Sequence, residues 1–367
     1  MTSPRPLIVV PVLVLALLAG CTPTPTQEPT PEPTNTEAGP VTPVGDPVVI
    51  ADHLLTPWSV VRLASGSALI SERDTGTINE LTADGDIRAV GTVEGVVHEG
   101  ESGLLGLAVL DEEWLYAYFT SATDNRIVRF ELAGDAGGYS LGAMEEVFSG
   151  LVKARNHDGG RIAFGPDGML YATTGDASDL SLSQNLASNN GKILRMTPTG
   201  GVPDDNPFAG SLVYSYGHRN PQGIAWDESG QLFAAEFGQD DWDEFNRIEA
   251  GGNYGWPIVE GISDNPDFIN PLHQWRTGFA SPSGLTYVRG TFFMTGLAGH
   301  RIWTVDPDEN SEPVDWFNTT TYGRIRDVLP GPDGTLWFVT NNTDGRGEPR
   351  DDDDKLWQSD LDVFREG

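Results

Sequence analysis

The sequence predicts an all-β fold, a six-bladed β-propeller, and three observations carry that prediction. A turn followed by a short strand of aromatic and β-branched residues recurs six times. The copies start roughly 45–60 residues apart, about the length of one four-stranded blade. Long amphipathic helical patterns are nearly absent, while 44 Gly and 26 Pro suit many short strands joined by tight turns. A two-sheet β-sandwich is the competing architecture, but it supplies no reason for one phrase to return six times.

In chain order, the first segment stands apart from that fold. Arg5 is the only charge ahead of an apolar run from Leu7 to Ala19, which ends in Leu18-Ala19-Gly20-Cys21. The run is too short to span a membrane and has the length of a signal-peptide core. Small residues at Ala19 and Gly20 let a peptidase reach the backbone, and the Cys21 thiol is a nucleophile that can be acylated. Residues 1–20 thus resemble a bacterial lipoprotein signal with Cys21 as the lipidation site; an ordinary signal peptide with an incidental cysteine is the alternative. The expected location is outside the cytoplasm, with membrane contact only through the lipid. Cys21 is the single cysteine, which excludes disulfides, zinc–thiolate sites and thiol catalysis from the folded domain. Over residues 21–46, alternating Pro and Thr can form neither helix nor packed strand and read as an extended tether. The propeller is expected over residues 47–367.

Six phrases mark its blades: SGSALISERD from Ser65, EEWLYAYFTS from Glu112, PDGMLYATTGD from Pro166, ESGQLFAAEFG from Glu228, VRGTFFMTGLAG from Val288 and PDGTLWFVTNN from Pro332. Pro-Asp-Gly brings a preset φ, a side chain that bonds nearby backbone and a residue free to take positive φ, as a hairpin turn requires. The second phrase lacks the Gly. Asp351 to Asp354, ahead of Lys355, reads as an acidic turn before the last strand. A net charge of −32 repels phosphate backbones and anionic lipid surfaces, which excludes nucleic acid as a partner.

Four segments are more polar and glycine-rich than a fold needs. They are Gly100-Glu101-Ser102-Gly103-Leu104-Leu105-Gly106-Leu107-Ala108, Asn156-His157-Asp158-Gly159-Gly160-Arg161, Tyr216-Gly217-His218-Arg219-Asn220-Pro221-Gln222-Gly223, and the run from Glu236 through Asp243-Glu244-Phe245-Asn246, followed by Gly252-Asn253-Tyr254-Gly255-Trp256-Pro257. Singly, each has an ordinary structural explanation as a loop histidine, a hydrogen-bonded corner or a solvated acidic turn. Together, in this order and spacing, they resemble the glucose/sorbosone dehydrogenase family, soluble aldose dehydrogenases that use pyrroloquinoline quinone (PQQ). The resemblance covers about residues 48–357 and extends to Gly323-Arg324-Ile325-Arg326-Asp327.

By position, the resemblance implies that His157 is the general base and that Arg219 and Asn220 contact the quinone. Removing a hydroxyl proton near neutral pH suits an imidazole, and a guanidinium suits charge that develops on the cofactor. Arg324 and Arg326 match a pair that binds cofactor carboxylates; two residues apart, they share one side of an extended segment. Glu101 stands where some members carry a cofactor-contacting glutamine, and Asn156 where some carry an acidic residue before the base. The implied metal is Ca²⁺, held by carbonyls of Gly238 and Gln239, with a second ion at the Glu244 carboxylate and Tyr254 carbonyl. A lysine that some members set against the cofactor is missing; His300 and Arg301 are its candidate replacements. The expected activity is oxidation of an aldose at its anomeric carbon to the lactone, with electrons passed to an external acceptor. A non-catalytic carbohydrate- or protein-binding propeller and a Ca²⁺-dependent lactonase are the alternatives.

Overall fold

The computed structural model describes Met1 and residues 39–308, 311–317 and 321–363; the signal segment, Cys21 and most of the expected tether lie outside the described residues. After β1 (Val41–Ala51) come six antiparallel sheets. The first holds β2 (Pro57–Arg62), β3 (Ala68–Glu72), β4 (Thr77–Leu81) and β5 (Ile87–Thr92). The second holds β6 (Leu104–Leu110), β7 (Trp114–Thr120), β8 (Asn125–Ala133), a short β9 (Ser140–Leu141) paired to it, and β10 (Glu145–Leu151). The third is β11 (Ile162–Phe164), β12 (Leu170–Thr174), β13 (Lys192–Met196) and β14 (Val213–Tyr216). The fourth is β15 (Pro221–Trp226), β16 (Leu232–Glu236), β17 (Trp242–Arg247) and β18 (His273–Arg276). The fifth is β19 (Pro282–Val288), β20 (Thr291–Gly296), β21 (Arg301–Val305) and β22 (Val314–Trp316). The sixth is β23 (Ile325–Pro330), β24 (Leu336–Thr340) and β25 (Leu356–Val363), and its outer strand is β1.

These sheets are the blades of a six-bladed propeller. Each blade's first strand lies innermost: β2 packs beside β6 and β23, β6 beside β11, and β19 beside both β15 and β23. The ring is closed by β1, which runs antiparallel to β25 from Val41 opposite Val363 to Ala51 opposite Leu356. Joining the first strand of the chain to its last blade leaves no open end in the circle.

β1 corrects the expected domain boundary, because it takes in residues 41–46 assigned to the tether. Val41 is fully buried, and its N–H donates to Thr291 Oγ1 at 2.8 Å. An outer strand tolerates Pro43 and Pro47, since one of its edges pairs with nothing. The proline content conceals the strand from a compositional reading.

Each of the six recurrent phrases forms the second strand of a blade: β3, β7, β12, β16, β20 and β24. Such a strand is covered on both faces, so its residues feed two cores alternately. On β16, Leu232 and Ala234 pack towards the third blade, while Phe233 and Ala235 pack towards the fifth. On β7, Leu115, Ala117 and Phe119 face the first blade, and Tyr116 and Tyr118 the third. The core accordingly consists of six apolar clusters, one at each junction between neighbouring blades.

Candidate active site

Loops that lead into the innermost strands and loops that leave the second strands emerge on one face of the ring. The first kind carries Glu101, Asn156, His157, Arg219, Asn220 and Arg324; the second carries Asp176, Gly238, Gln239, Asp344 and Arg346. Residues 248–272, between β17 and β18, join them through Tyr254 N–H on the Tyr216 carbonyl and Trp256 N–H on the Gly217 carbonyl. A cavity of about 490 Å³ occupies the central channel beyond Arg161 and Asp327, and none of the predicted site residues lines it.

His157 sits at the centre of the loop face with its side chain 14% exposed. Its Nδ1 lies 2.7 Å from Asp176 Oδ1, and its Nε2 lies 2.8 Å from Arg219 Nη2. A carboxylate accepts and a guanidinium donates, so these partners assign the proton to Nδ1 and to Nε2 an electron pair that accepts from Arg219. Asp176 is itself fixed: Trp256 Nε1 donates to Oδ2 at 2.8 Å and Ser178 N–H to Oδ1 at 2.7 Å. Burial pushes the Asp176 carboxyl up, but the hydrogen bond and charge of His157, with Trp256 and Ser178, hold it below its ordinary value.

The backbone beneath His157 is tightly specified. Its φ is 63°, in the left-handed region that is uncommon for a non-glycine residue. Gly175 allows the approach, since a Cβ there would lie 1.8 Å from the His157 carbonyl oxygen. The neighbouring Asp158 is buried, taking hydrogen bonds from Asn125 Nδ2, Ala154 N–H and Ser102 Oγ. His157 N–H donates to Glu101 Oε2 at 3.0 Å, and Gly159 N–H donates to Asn220 Oδ1 at 3.0 Å. The segments around Glu101, His157 and Arg219 therefore meet directly.

Arg219 donates through Nε and Nη2 to Gln239 Oε1 and through Nη1 to the Phe237 carbonyl, and lies over the Trp256 ring. Its N–H and that of Asn220 both donate to Glu236 Oε1. On the far side of the mouth, Arg324 donates to Asp344 Oδ2 through Nη2 at 2.9 Å, and Arg326 lies 3.7 Å from the same oxygen. Arg326 also donates to Asn341 Oδ1 and Gln222 Oε1. Arg73 Nη2 reaches the Asp344 carbonyl. Burial brings Arg326 down to about 9; Asp344 opposes that fall, while Arg324 and Arg73 add to it. Guanidinium groups thus outnumber the carboxylate they surround, which fits a ligand bearing several carboxylates.

The residues expected around metal also fit a hard cation. Among the described residues, no hydrogen bond reaches the carbonyl oxygens of Gly238 and Gln239. Their loop is shaped by Glu260, whose Oε1 accepts the N–H groups of Gln239, Asp240, Asp241 and Trp242. A small cleft lined by Glu236, Gly238, Glu244, Tyr254 and Glu260 lies next to it. Burial first, then the charge of Glu236, pushes Glu244 up to about 8. Two buried carboxyls with carbonyl oxygens beside them form the oxygen-rich environment that calcium takes.

With this geometry in view, the chain can be set beside known proteins. The Glucose / Sorbosone dehydrogenase family profile matches residues 54–348. The chain belongs to that family. An aldose sugar dehydrogenase from Streptomyces coelicolor, in its PQQ-bound form, superposes with a TM-score of 0.83 at 46% identity, covering 88% of this chain and 98% of the other. Aldose sugar dehydrogenase YliI of Escherichia coli is 28% identical over 81% of this chain and 90% of its own length. Quinoprotein glucose dehydrogenase B of Acinetobacter calcoaceticus is 30% identical over 61% of this chain and 54% of its own.

Within this family member, the predicted His157, Arg219, Asn220 and Glu101 are joined by direct contacts. Arg324 and Arg326 connect to them through Asp344, whose Oδ1 accepts Arg346 N–H, and through the Arg346 side chain on Glu101. Asn156 is exposed and bonds Arg346, so the His157 ring is oriented by Asp176 and not by its preceding neighbour. Arg301 pairs with Asp315 and the Gly299 carbonyl, and burial first, then the charges of Arg324 and Arg301, lower His300. The sequence reading quotes Asp176 and Trp256 but assigns neither a role, and it misses Asp344 and Arg346. Asp353 and Asp354, in the turn before the last strand, are buried, and Asp354 accepts from Thr340, Asn342 and Thr343.

Proposed function

We propose that the protein is a PQQ- and Ca²⁺-dependent aldose dehydrogenase that oxidises the anomeric carbon of a sugar to the lactone and passes the electrons to an external acceptor. The observation that carries this reading is the imidazole of His157, with its Nδ1 proton on Asp176 and its Nε2 electron pair at the mouth of the ring beside Arg219. Nε2 accepts the proton of the anomeric hydroxyl, and the charge gained by the ring is balanced by the Asp176 carboxylate behind it. Arg219 shares the space in front of Nε2 and stabilises negative charge there. Arg324, Arg326 and Asn220 would hold PQQ, which supplies the acceptor for the hydride that leaves the sugar carbon. Gly238 and Gln239 would hold the calcium against it, and Glu244 with Tyr254 a second ion.

Metal-free protein titrated with PQQ and Ca²⁺ is expected to develop quinone absorbance and to reduce an artificial dye when given aldoses. His157→Gln should lower turnover by about 10²–10⁴-fold while the absorbance titration stays unchanged. Full turnover in that variant removes the base assignment.

The reading extends to location. The apolar run ending at Cys21 supports lipid attachment there, with the propeller outside the cytoplasm. Expressed in a bacterial host, the full chain should fractionate with membranes and take up labelled fatty acid, and Cys21→Ser should do neither. Equal labelling of the two chains rejects the anchor.

A further inference from the structure

Arg346 is placed unlike the other cations of the mouth. Its backbone is pinned, because its N–H donates to Asp344 Oδ1 at 2.9 Å. The next residue, Gly347, is packed so closely that a Cβ would lie 2.5 Å from the Asn342 carbonyl oxygen and 3.0 Å from Arg324 Cδ. The side chain, by contrast, is 49% exposed and spans the opening. It leaves the sixth blade and ends on loops before the second and third, with Nη1 3.0 Å from Glu101 Oε1 and Nη2 3.2 Å from Asn156 Oδ1. Arg324 and Arg326 are buried around Asp344, Arg73 is buried against Asp74, and Arg219 is held by Gln239 and His157. Arg346 is therefore a guanidinium with a fixed root and a head free to change partners.

We propose that Arg346 is a further cofactor-binding residue: its guanidinium leaves Glu101 and Asn156 and pairs with a carboxylate of the bound quinone. This rests on the reading of the mouth as a PQQ site. PQQ is a tricarboxylate, so it brings more anionic groups than Arg324 and Arg326 can each serve singly. The exchange is tolerated at the protein end, because the Arg346 head is half-exposed and Glu101, whose side chain is only 18% exposed, keeps the His157 N–H and Asn220 Nδ2 as donors. Charge-assisted pairing to a carboxylate in a partly closed site returns more than the pair with Glu101 gave up. Arg346 then supplies the cationic contact that neither Arg301 nor a lysine provides.

The test is an absorbance titration of the metal-reconstituted full chain with PQQ, in wild type, Arg346→Gln and Arg346→Lys. Arg346→Gln should weaken PQQ binding by about tenfold and flatten its dependence on salt. Arg346→Lys should recover part of the affinity and of the salt dependence. Unchanged or tighter binding by Arg346→Gln overturns the proposal, as does a loss of affinity whose salt dependence matches that of wild type. Failure of the wild type to bind PQQ sinks the reading of the site together with this inference.

Discussion

At the scale of single residues, the proposed base is defined by what stands behind it. Asp176 accepts the Nδ1 proton of His157, and Trp256 and Ser178 hold Asp176 still. Asp176→Asn keeps the shape but can present an amide N–H to Nδ1, which moves the ring proton to Nε2 and blocks the pair that must accept the substrate proton. Turnover should fall by about 10²-fold with PQQ affinity unchanged. The same carboxyl leaves a mark on stability. Its folded value is lowered, by bonds and charge that outweigh burial, so its stabilising contribution is complete above about pH 4 and is lost as pH falls through that lower value. The stability gap between wild type and Asp176→Asn, read by thermal unfolding, should therefore narrow below about pH 4; a gap that is constant with pH removes the assignment. This residue also marks a limit of the sequence. Imidazole and guanidinium chemistry can be read from His157 and Arg219 in their motifs, but Asp176 becomes the partner of His157 only because β12 returns it to the mouth beside Gly175.

Among elements, the second strand of each blade is the most legible because it is buried on both faces and carries an uninterrupted apolar run. Every recurrent phrase lands on such a strand. The outer strands face less of the core and vary more, and β1 is hidden by its prolines although Val41 is buried. Loops are least legible where one residue organises many. Lys192, at the start of β13, is fully buried and donates to the carbonyls of Leu182, Ser183 and Asn190. Those carbonyls belong to the loop that follows Asp176, and within it Ser183 Oγ donates to the His218 carbonyl while Gln184 Nε2 donates to the Trp256 carbonyl. Burial brings this amine down to about 7, and its three donations close a polar loop against the strand beside Asp176 and its partner Trp256. No local pattern around Lys192 announces this, since a lysine at a strand end ordinarily points to water. Glu260 is a second case: a single carboxylate oxygen gathers four backbone N–H groups and thereby shapes the loop of Gly238 and Gln239.

For the whole molecule, the acid–base balance of the folded ring links the metal sites to stability. A chain of net charge −32 has placed several carboxyls where burial works against their ionisation. Burial pushes Asp243 up to about 7; burial and the neighbouring Glu236 push Glu244 up to about 8. In the unfolded chain such groups release their protons near pH 4. Between about pH 4 and 8 the folded metal-free protein therefore holds protons that the unfolded chain has lost, and its stability declines as pH rises through that window. Glu101, Asp176 and Asp344 act in the opposite sense: burial raises them, but paired cations and N–H donors prevail, so their contribution disappears as the medium becomes acid. Stability without metal should accordingly peak in the mildly acidic range. A calcium ion held at Glu244, as proposed, would replace the proton by a fixed positive charge and remove the reason for the decline on the alkaline side. Thermal unfolding in chelator should thus show a loss on the order of 2 kcal/mol between about pH 6 and 8, and millimolar calcium should abolish most of it. Glu244→Gln should lose the calcium response and keep only the smaller pH slope that Asp243 contributes. Identical pH slopes for the wild type with and without calcium would detach the ion from this pair of carboxyls and leave the cleft beside Tyr254 without a cation to hold.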